Sequence, residues 1–167
     1  EGNKQALCIL IENNMDILSG FVYKMTNDPF VCQDIVQETL LKAILHIDKF
    51  LPNVRFSTWL IRIAINVYKD YLRKNRRYTF LYDSFKDTMH ETEQIAISNS
   101  QYEQMMKIIQ SLDYKSKAVF VLKHFYGYKY DEIAKILSLP VGTVKSRLHH
   151  AVKFLLNEFK KKGVIDK

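Results

Sequence analysis

The sequence predicts an all-α protein made of two small helical domains joined by a flexible linker. Glycine and proline are scarce, with five glycines and three prolines in 167 residues. Long stretches repeat apolar residues at spacings of three and four, the helical period, and no stretch shows the alternation typical of a strand. From residue 78 to 100 this periodicity fades and acidic and small polar residues accumulate, which is typical of a linker. We therefore expect domains at 1–77 and 101–167, with the linker at 78–100.

Local sequence marks the helix boundaries of the first domain. One helical region covers about residues 5–25, and the Asn13-Asn14 pair is expected to interrupt it. The tripeptide Asn27-Asp28-Pro29 starts a second helix, because an N-cap acceptor precedes a proline whose fixed φ suits the first helical position. This second helix is expected to reach about Ile47. The apolar stripe of the first region comprises Leu7, Leu10, Ile11, Ile17, Leu18, Phe21 and Val22.

Four short helices are expected in the second domain. They cover residues 102–112, residues 115–125, Tyr130–Leu137 and Val141 to about Lys160. Gly127 and the run Ser138-Leu139-Pro140 provide the breaks. The helix Tyr130–Leu137, the tight turn after it and the last helix have the proportions of a helix-turn-helix.

Composition excludes several classes of protein. No run approaches the roughly 20 apolar residues of a membrane-spanning helix, and residues 1–5 lack the basic start of a secretory signal. We therefore expect a cytoplasmic protein without direct membrane insertion. Cys8 and Cys32 are too few for a disulfide scaffold, and neither belongs to a group that binds zinc. We expect both to be reduced and half-buried, and we expect no metal and no cofactor.

The net charge of +7 is distributed in blocks along the chain. Residues 1–54 contain four bases and seven acids, whereas residues 55–77 contain seven bases and one acid. Residues 78–113 contain two bases and six acids, and residues 114–162 contain eleven bases and three acids. Two basic regions separated by an acidic one predict two contacts with a polyanion, because each neutralised phosphate releases counterions and adds affinity.

The last helix has an apolar face and a polar face. Its apolar residues repeat at spacings of four, four and three, and we expect them to pack on the preceding helix: Val144, Leu148, Val152 and Leu155. The outward residues, the recognition face below, have side chains suited to base edges in the major groove: Lys145, Ser146, His149 and His150. Arg147 and Lys153 are better placed for phosphates. A solvated basic helix is the alternative, and a zinc site at the adjacent histidines is disfavoured because neighbouring side chains diverge on a helix.

A third helix of the first domain, which Ser57 is expected to cap and which extends to about Asn75, is strongly basic. Its apolar side comprises Leu60, Ile63, Ala64 and Val67. Its polar side, the basic face below, comprises Arg62, Asn66, Lys69, Arg73 and Arg76. We expect no acid on this face, so its donors would repel one another without an anionic partner, which favours nucleic acid over a solvated surface. At the head of this face, Trp59 and the loop 51–56 are placed to cradle an unstacked base, with a plain core position as the alternative for Trp59.

The second helix has two stripes. One is a core stripe of Cys32, Ile35, Val36, Thr39, Ala43 and Ile47. The other, the docking stripe below, comprises Asp34, Gln37, Glu38, Leu41 and Leu45. Exposed leucine beside acidic residues suits a protein interface, with an apolar centre and a polar rim that orients the partner. This stripe predicts a protein partner rather than DNA.

Three motifs in order resemble the extracytoplasmic-function sigma factors of the sigma-70 family. They are Asp34-Ile-Val-Gln-Glu38, then Phe56-Ser-Thr-Trp-Leu-Ile-Arg-Ile-Ala-Ile-Asn66, and finally Tyr130-Asp-Glu-Ile-Ala-Lys-Ile-Leu137 with Pro140-Val-Gly-Thr-Val-Lys-Ser-Arg147. The resemblance covers nearly the whole chain, with a sigma-2 domain in front and a sigma-4 domain behind. It implies a non-enzymatic factor that binds core RNA polymerase, directs it to −10 and −35 promoter elements and promotes DNA melting.

The resemblance also implies roles for the faces described above. The docking stripe would bind the clamp helices of the polymerase β′ subunit, and the second domain would bind the β-flap tip. The −10 element would be bound by Arg55, Trp59, Arg62, Asn66, Lys69, Arg73 and Arg76. The −35 element would be bound by Thr143, Lys145, Ser146, Arg147, His149, His150 and Lys153. A further implied partner is an anti-sigma factor, and a membrane-anchored anti-sigma factor is one alternative.

Two other classes of protein compete with this interpretation. A nuclease would need a clustered carboxylate or histidine site, and Asp34 with Glu38 lacks a third ligand or a positioned base. A helix-turn-helix repressor would explain residues 102–162 but would leave the basic face and the docking stripe without a role.

Overall fold

The computed structural model describes residues 4–83 and 101–162, with side chains described for 4–75 and 102–162. In these ranges the fold is all-α, as predicted, and contains no strand. The elements are α1 (Lys4–Glu12), α2 (Met15–Thr26), α3 (Pro29–Leu45), a short 3-10 helix (Ile47–Lys49), α4 (Phe56–Asp83), α5 (Gln101–Gln110), α6 (Tyr114–His124), α7 (Tyr130–Leu137) and α8 (Val141–Lys161). Within the described ranges no single helix is long and apolar enough to cross a membrane, although α1 and α2, joined at a 49° bend, pass that test together by length and composition.

The predicted boundaries around α2 are confirmed. The helical region is interrupted at the two asparagines, where the Asn14 side-chain amide donates to the Leu10 carbonyl at 2.7 Å. Asn27 then ends α2 in the left-handed conformation, with φ of 53°. Asp28 caps α3 because its Oδ1 accepts from the amides of Phe30 at 2.8 Å and Val31 at 3.0 Å. The angle between α2 and α3 is thus set by residues readable from the sequence.

The start and end of α4 differ from the prediction. Ser57 is not the cap, since α4 begins at Phe56 and Ser57 lies inside the first turn. The buried Phe56 ring packs 5.3 Å from Phe50 and 5.5 Å from Trp59, so apolar packing draws this residue into the helix. No glycine or proline follows Asn75 until well beyond residue 83, and the helix continues to Asp83. Residues 78–83 of the predicted linker are therefore helical, and residues 84–100 lie outside the described ranges.

Three side chains in the first domain are placed differently from the prediction. Ile17 is 39% exposed rather than part of the core, whereas Leu18 beside it is 1% exposed. The bend after α1 rotates the start of α2, so the two helices do not share one continuous stripe. Cys8 is exposed and Cys32 is buried, so neither is half-buried, and both are free thiols.

Caps and left-handed residues organise the second domain. Asp113 caps α6 by accepting from the amides of Lys115 at 3.1 Å and Ser116 at 3.2 Å, so this helix begins at Tyr114, one residue earlier than predicted. Gly127, with φ of 68°, makes the turn into α7. Ser138, with φ of 53°, ends α7, and Pro140 precedes α8. The predicted helix-turn-helix elements are therefore present.

The two domains pack against each other through one continuous apolar core. This core includes residues from α2, α3 and α4 together with residues from α6, α7 and α8. Side chains also bridge the domains: Thr58 Oγ1 lies 3.1 Å from Tyr128 Oη, and Gln110 Nε2 donates to the Lys24 carbonyl at 2.9 Å. The sequence predicts two separate domains, and no local pattern in it indicates this contact between them.

The most unusual group at this contact is Lys117, which is only 5% exposed. Its ammonium donates to the Gln110 Oε1 at 2.7 Å and to the Met25 carbonyl at 3.3 Å. Burial lowers the pKa of Lys117 from 10.5 to about 8, against the opposing charge of Asp113. Charge is disfavoured there because desolvation outweighs the attraction of nearby acceptors.

The stability of the protein should therefore depend on pH through Lys117. Between about pH 8 and 10.5 the folded state has lost this proton while the unfolded state retains it. The unfolded state then binds more protons, so the free energy of unfolding should rise with pH, by at most about 1.4 kcal/mol per pH unit. Urea titrations of the wild type and of Lys117→Met from pH 7.5 to 9.5 measure this slope. The same slope in both proteins would assign the pH dependence to another group.

Candidate polymerase and nucleic-acid interfaces

The docking stripe lies on the outer face of α3. All five of its residues are exposed, whereas the opposite face of the helix is buried against α2 and α4. Leu41 and Leu45 are 56% and 64% exposed. The Glu38 carboxylate forms an ion pair with the Lys42 ammonium, one helical turn away, at 2.8 Å. The stripe is therefore an apolar centre with a charged rim, and the periodicity argument assigned its orientation correctly.

Two further apolar residues of α3 belong to the same exposed surface and were missed. Phe30 is 76% exposed and Ile44 is 50% exposed. Phe30 precedes Asp34 by four residues and Ile44 follows Leu41 by three, so helical spacing could have identified both. Exposed apolar residues therefore lie near both ends of the helix.

The basic face lies on the exposed side of α4. Arg62, Asn66, Lys69 and Arg73 are exposed, and the buried side of the helix includes Leu60, Ala64 and Val67, each 1% exposed. Ile61 and Ile65 are buried as well, so the apolar side is wider than predicted. The side chain of Arg76 lies outside the described residues.

An acid does accompany this face, contrary to the sequence analysis. Asp70 lies one turn before Arg73, and their side chains approach to 3.3 Å. Both are well exposed, at 67% for Arg73 and 41% for Asp70, so solvent screens the pair and leaves the arginine available.

Aromatic packing shapes the head of the basic face. Trp59 combines features of a core residue and of a groove residue. It is half-buried with its ring 5.4 Å from Phe50, and it also lines an open groove. The groove has a volume of about 950 Å³ and includes Arg55, Arg62 and Asn66. The aromatic cluster therefore forms part of the wall of a groove that several cations line.

The second domain contributes the far wall of this groove. Glu132, Lys135, Ile136 and Ser138, all from α7 and the turn after it, line the groove opposite the basic face. Glu132 is engaged in capping α7, where its Oε2 accepts from the Lys129 amide at 2.7 Å. The groove is thus bounded by both domains, which sequence reasoning did not anticipate.

The recognition face lies at the exposed start of α8. Lys145, Ser146, His149 and His150 are all exposed, and Val144 and Leu148 are buried beneath them. The Ser146 hydroxyl donates to the Thr143 carbonyl at 3.1 Å. The rings of the two histidines lie 5.7 Å apart, edge to face, with 72° between their planes. The predicted orientation of this helix is confirmed.

Arg147 is placed differently from the other basic residues of α8. It is half-buried and directs its guanidinium toward Asp113, at 3.6 Å, whereas Lys153 is exposed. Although burial acts to raise it, the pKa of Asp113 is lowered by hydrogen bonds from Ser116 and Lys115 and by the Arg147 charge. Arg147 therefore ties α8 to the start of α6 rather than facing outward, and its phosphate contact stays a prediction.

Within residues 4–83 and 101–162, no cluster of three or more His, Cys, Asp or Glu side chains could hold a metal ion. The His149-His150 pair has no third His, Cys, Asp or Glu ligand among these residues.

Comparison with known proteins identifies the family to which these faces belong. Residues 10–78 match the family model of sigma-70 region 2, and residues 102–155 match that of sigma-70 region 4. The ECF RNA polymerase sigma factor SigW of Bacillus subtilis is 30% identical over 172 residues, covering 96% of this chain and 92% of SigW. The chain belongs to the extracytoplasmic-function sigma factors of the sigma-70 family. It is a non-enzymatic factor for promoter recognition and transcription initiation, as the motifs predicted.

Other members of the family resemble the chain over similar lengths. The ECF RNA polymerase sigma-E factor of Haemophilus influenzae is 29% identical, covering 95% of this chain and 89% of that protein. The solved structure of CnrH in complex with the cytosolic domain of CnrY superposes with a TM-score of 0.70 at 25% identity, covering 96% and 91% of the two chains. The sigma factor RpoE of Bartonella quintana, solved with the anti-sigma factor NepR, gives a TM-score of 0.72 at 24% identity over 94% and 96%, which shows the shared fold.

Proposed function

We propose that this sigma factor divides its work among the three exposed faces. The docking stripe binds the β′ clamp helices, the basic face with its groove binds the opened −10 strand, and the recognition face reads the −35 element. In this proposal the protein acts in the cytoplasm, where polymerase and promoter DNA meet.

The observation that carries the proposal is the contrast between the outer faces of two adjacent helices. The face of α3 combines exposed leucines with acids, whereas that of α4 is dominated by cations and an amide. An apolar surface with a charged rim suits a protein partner, and a row of donors suits a phosphate backbone. Because α3 and α4 pack directly on each other, one rigid unit would present DNA to the polymerase that holds it.

The basic face suits a single strand better than a duplex. Arg62 and Asn66 line a groove beside the Trp59 ring, and grooves that combine cations with an aromatic wall bind unpaired bases by stacking. The recognition face lacks such a groove and presents the start of a helix, the geometry of major-groove readers.

A polypeptide inhibitor is a further proposed partner. The relative CnrH has been solved with the cytosolic domain of CnrY bound to it. We propose an anti-sigma factor for this chain as well, and its target includes the exposed apolar surface of α3.

Replacing Leu41 by lysine should weaken binding to core polymerase at least tenfold without unfolding the protein. Leu41 is 56% exposed, so the change removes an apolar contact from the proposed interface but leaves the core intact. Ile9→Lys is a matched control, because Ile9 is 57% exposed on another helix. Affinity is measured by fluorescence anisotropy and helix content by circular dichroism. Equal affinity of the wild type and Leu41→Lys would refute the docking assignment.

Lys145→Ala should relax sequence preference within the −35 element while promoter opening survives. A bidentate contact to a base edge discriminates by about 1–3 kcal/mol, so one or two positions should lose their preference. Lys160→Ala, an exposed lysine near the other end of α8, is the control. Run-off transcription by holoenzyme on a promoter library measures the preference. A uniform loss of affinity over all −35 sequences would make Lys145 a phosphate contact instead.

Asn66→Ala combined with Arg73→Ala should block strand opening but leave closed-complex binding intact. The two side chains would contact a strand that exists only after melting. Permanganate reactivity of thymines near the −10 element reports opening, and filter binding reports the closed complex. A promoter carrying a pre-melted −10 segment should restore transcription to this variant. Loss of duplex binding in the closed complex would contradict the assignment.

A further inference from the structure

A tyrosine at the start of α7 lies beside lysines of the two neighbouring helices. The Lys123 ammonium, on α6, is 4.8 Å from the centroid of the Tyr130 ring, and the Lys145 ammonium, on α8, is 5.7 Å from the same centroid. Both distances fall within the roughly 6 Å over which an aromatic ring face attracts an ammonium. One ring therefore connects three helices of the second domain.

The Tyr130 ring is itself held in place. It is half-buried and packs against the apolar core. Lys123 is also half-buried, and its ammonium donates to the Tyr128 carbonyl at 3.4 Å, in the turn before α7. The ring is therefore a fixed support for the exposed lysine on its other neighbour, α8.

The side chain of Lys145 depends on this ring for its position. It is exposed on the recognition face, and it forms no ion pair and no side-chain hydrogen bond with the other residues that the structure describes. The other members of that face have partners within α8: Ser146 bonds to Thr143, and the rings of His149 and His150 contact each other. Lys145 is held instead by a residue of α7.

Restriction of a lysine matters for the recognition of bases. Its long side chain has many rotamers, and fixing it at an interface costs conformational entropy. That cost is lower when the free protein already restricts the side chain. An acid could restrict Lys145 as well, but it would place a negative charge beside the DNA. An aromatic ring restricts the lysine without adding a charge.

We propose that Tyr130 is a positioning residue for −35 recognition, which holds Lys145 in the orientation that reaches the base edge. This inference rests on the proposed function for the assignment of Lys145 to a base edge. Because Tyr130 acts through Lys145, its loss relaxes sequence preference at the same −35 positions as the loss of Lys145. The ring face makes the contact, so the phenol oxygen takes no part in it.

The first experiment tests the contact in the free protein by nuclear magnetic resonance. Protons above an aromatic ring are shifted upfield, so the ε-methylene protons of Lys145 should be shifted upfield in the wild type and in Tyr130→Phe. They should take ordinary lysine values in Tyr130→Leu. Lys153, exposed and more than two turns further along α8, is the internal control. Ordinary values for Lys145 in the wild type would overturn the proposal.

The second experiment measures sequence preference with the holoenzyme. Run-off transcription on a library of −35 elements gives the ratio of the preferred base to the others at each position. Tyr130→Leu should lower this ratio about two- to fivefold, the effect of an exposed cation–π contact, where Lys145→Ala relaxes it. Tyr130→Phe keeps the ring and should match the wild type. An equal loss over all −35 sequences in Tyr130→Phe would make the phenol a phosphate contact and would overturn the positioning role.

A double variant shows whether Tyr130 acts through Lys145. Tyr130→Leu combined with Lys145→Ala should have the same preference as Lys145→Ala alone, because the side chain that the ring positions is gone. A further loss of preference in the double variant would show that Tyr130 makes an independent contact with the promoter, which would refute the proposal.

A change in the electrons of the ring tests the attraction without a change in packing. Tyr130 packs against the core, and leucine in its place leaves part of that space empty. The amino acid 3,4,5-trifluorophenylalanine, placed at position 130, keeps nearly the shape of phenylalanine, but its fluorines weaken the negative ring face. This protein should show the lowered ratio of Tyr130→Leu, with the helix content of the wild type by circular dichroism. A ratio equal to that of Tyr130→Phe would refute the attraction.

Failure of the proposed function would give a different result from failure of this inference. If Lys145→Ala itself relaxes no −35 position, Lys145 does not read a base, and the assignment and the inference are both wrong. If Lys145→Ala relaxes a position that Tyr130→Leu leaves unchanged, the assignment of Lys145 stands and only the positioning role of Tyr130 is wrong.

Discussion

The burial of α2 between the two domains is the interaction on which the rest of the structure depends. Leu18, Phe21, Val22 and Met25 are each at most 2% exposed. This helix packs against α3 and α4 of its own domain and against α5 and α6 of the other. Because one helix belongs to both sides of the core, the exposed surfaces are those that face away from it, namely the outer sides of α3, α4 and α8.

The polar groups at the end of α2 limit how strong this junction can be. An apolar residue in place of Lys117 would avoid the desolvation of an ammonium, which hydrogen bonds to Met25 and Gln110 only partly offset. Burial lowers the pKa of Lys117 to about 8. This lower pKa expresses the same desolvation cost as a weaker affinity of the amine for its proton. A junction that contains such a group is weaker than one of the same area with an apolar residue in its place.

Features encoded in local sequence could be predicted. The Asp28 cap, the breaks at Asn13-Asn14 and Gly127, and the outward faces of α3 and α8 depend on residues within one or two helical turns. The prediction that Ile17 is a core residue was wrong because the bend before α2 shifts the helical phase. The prediction that Ser57 caps α4 was wrong because the packing of Phe56 with Phe50 outweighs the preference of serine for a cap position.

Features that depend on contacts between distant residues could not be predicted. Gln110 and Lys24 are 86 residues apart, and Lys117 and Met25 are 92 apart, with no local pattern to pair them. Lys117 reads as one more lysine in a basic segment, and Arg147 reads as a phosphate contact, although its guanidinium reaches Asp113. Only one wall of the groove beside Trp59 could be predicted, because its residues follow Trp59 on the same helix. The other wall comes from α7, which is distant in sequence.

The packing of the helices relates the three proposed surfaces to one another in two different ways. The docking stripe and the basic face lie on α3 and α4, whose buried faces pack together through Ile35, Ala43 and Leu60, each at most 2% exposed. In the proposed function, a polymerase that binds α3 therefore also positions the −10 surface, because α3 and α4 pack directly on each other. The recognition face belongs to the other domain, which meets α2 and α4 through the shared apolar core and through the polar bridges of Tyr128 and Gln110. Its position relative to the basic face is therefore set by contacts between the domains, whereas the position of the basic face relative to the docking stripe is set by packing within one domain.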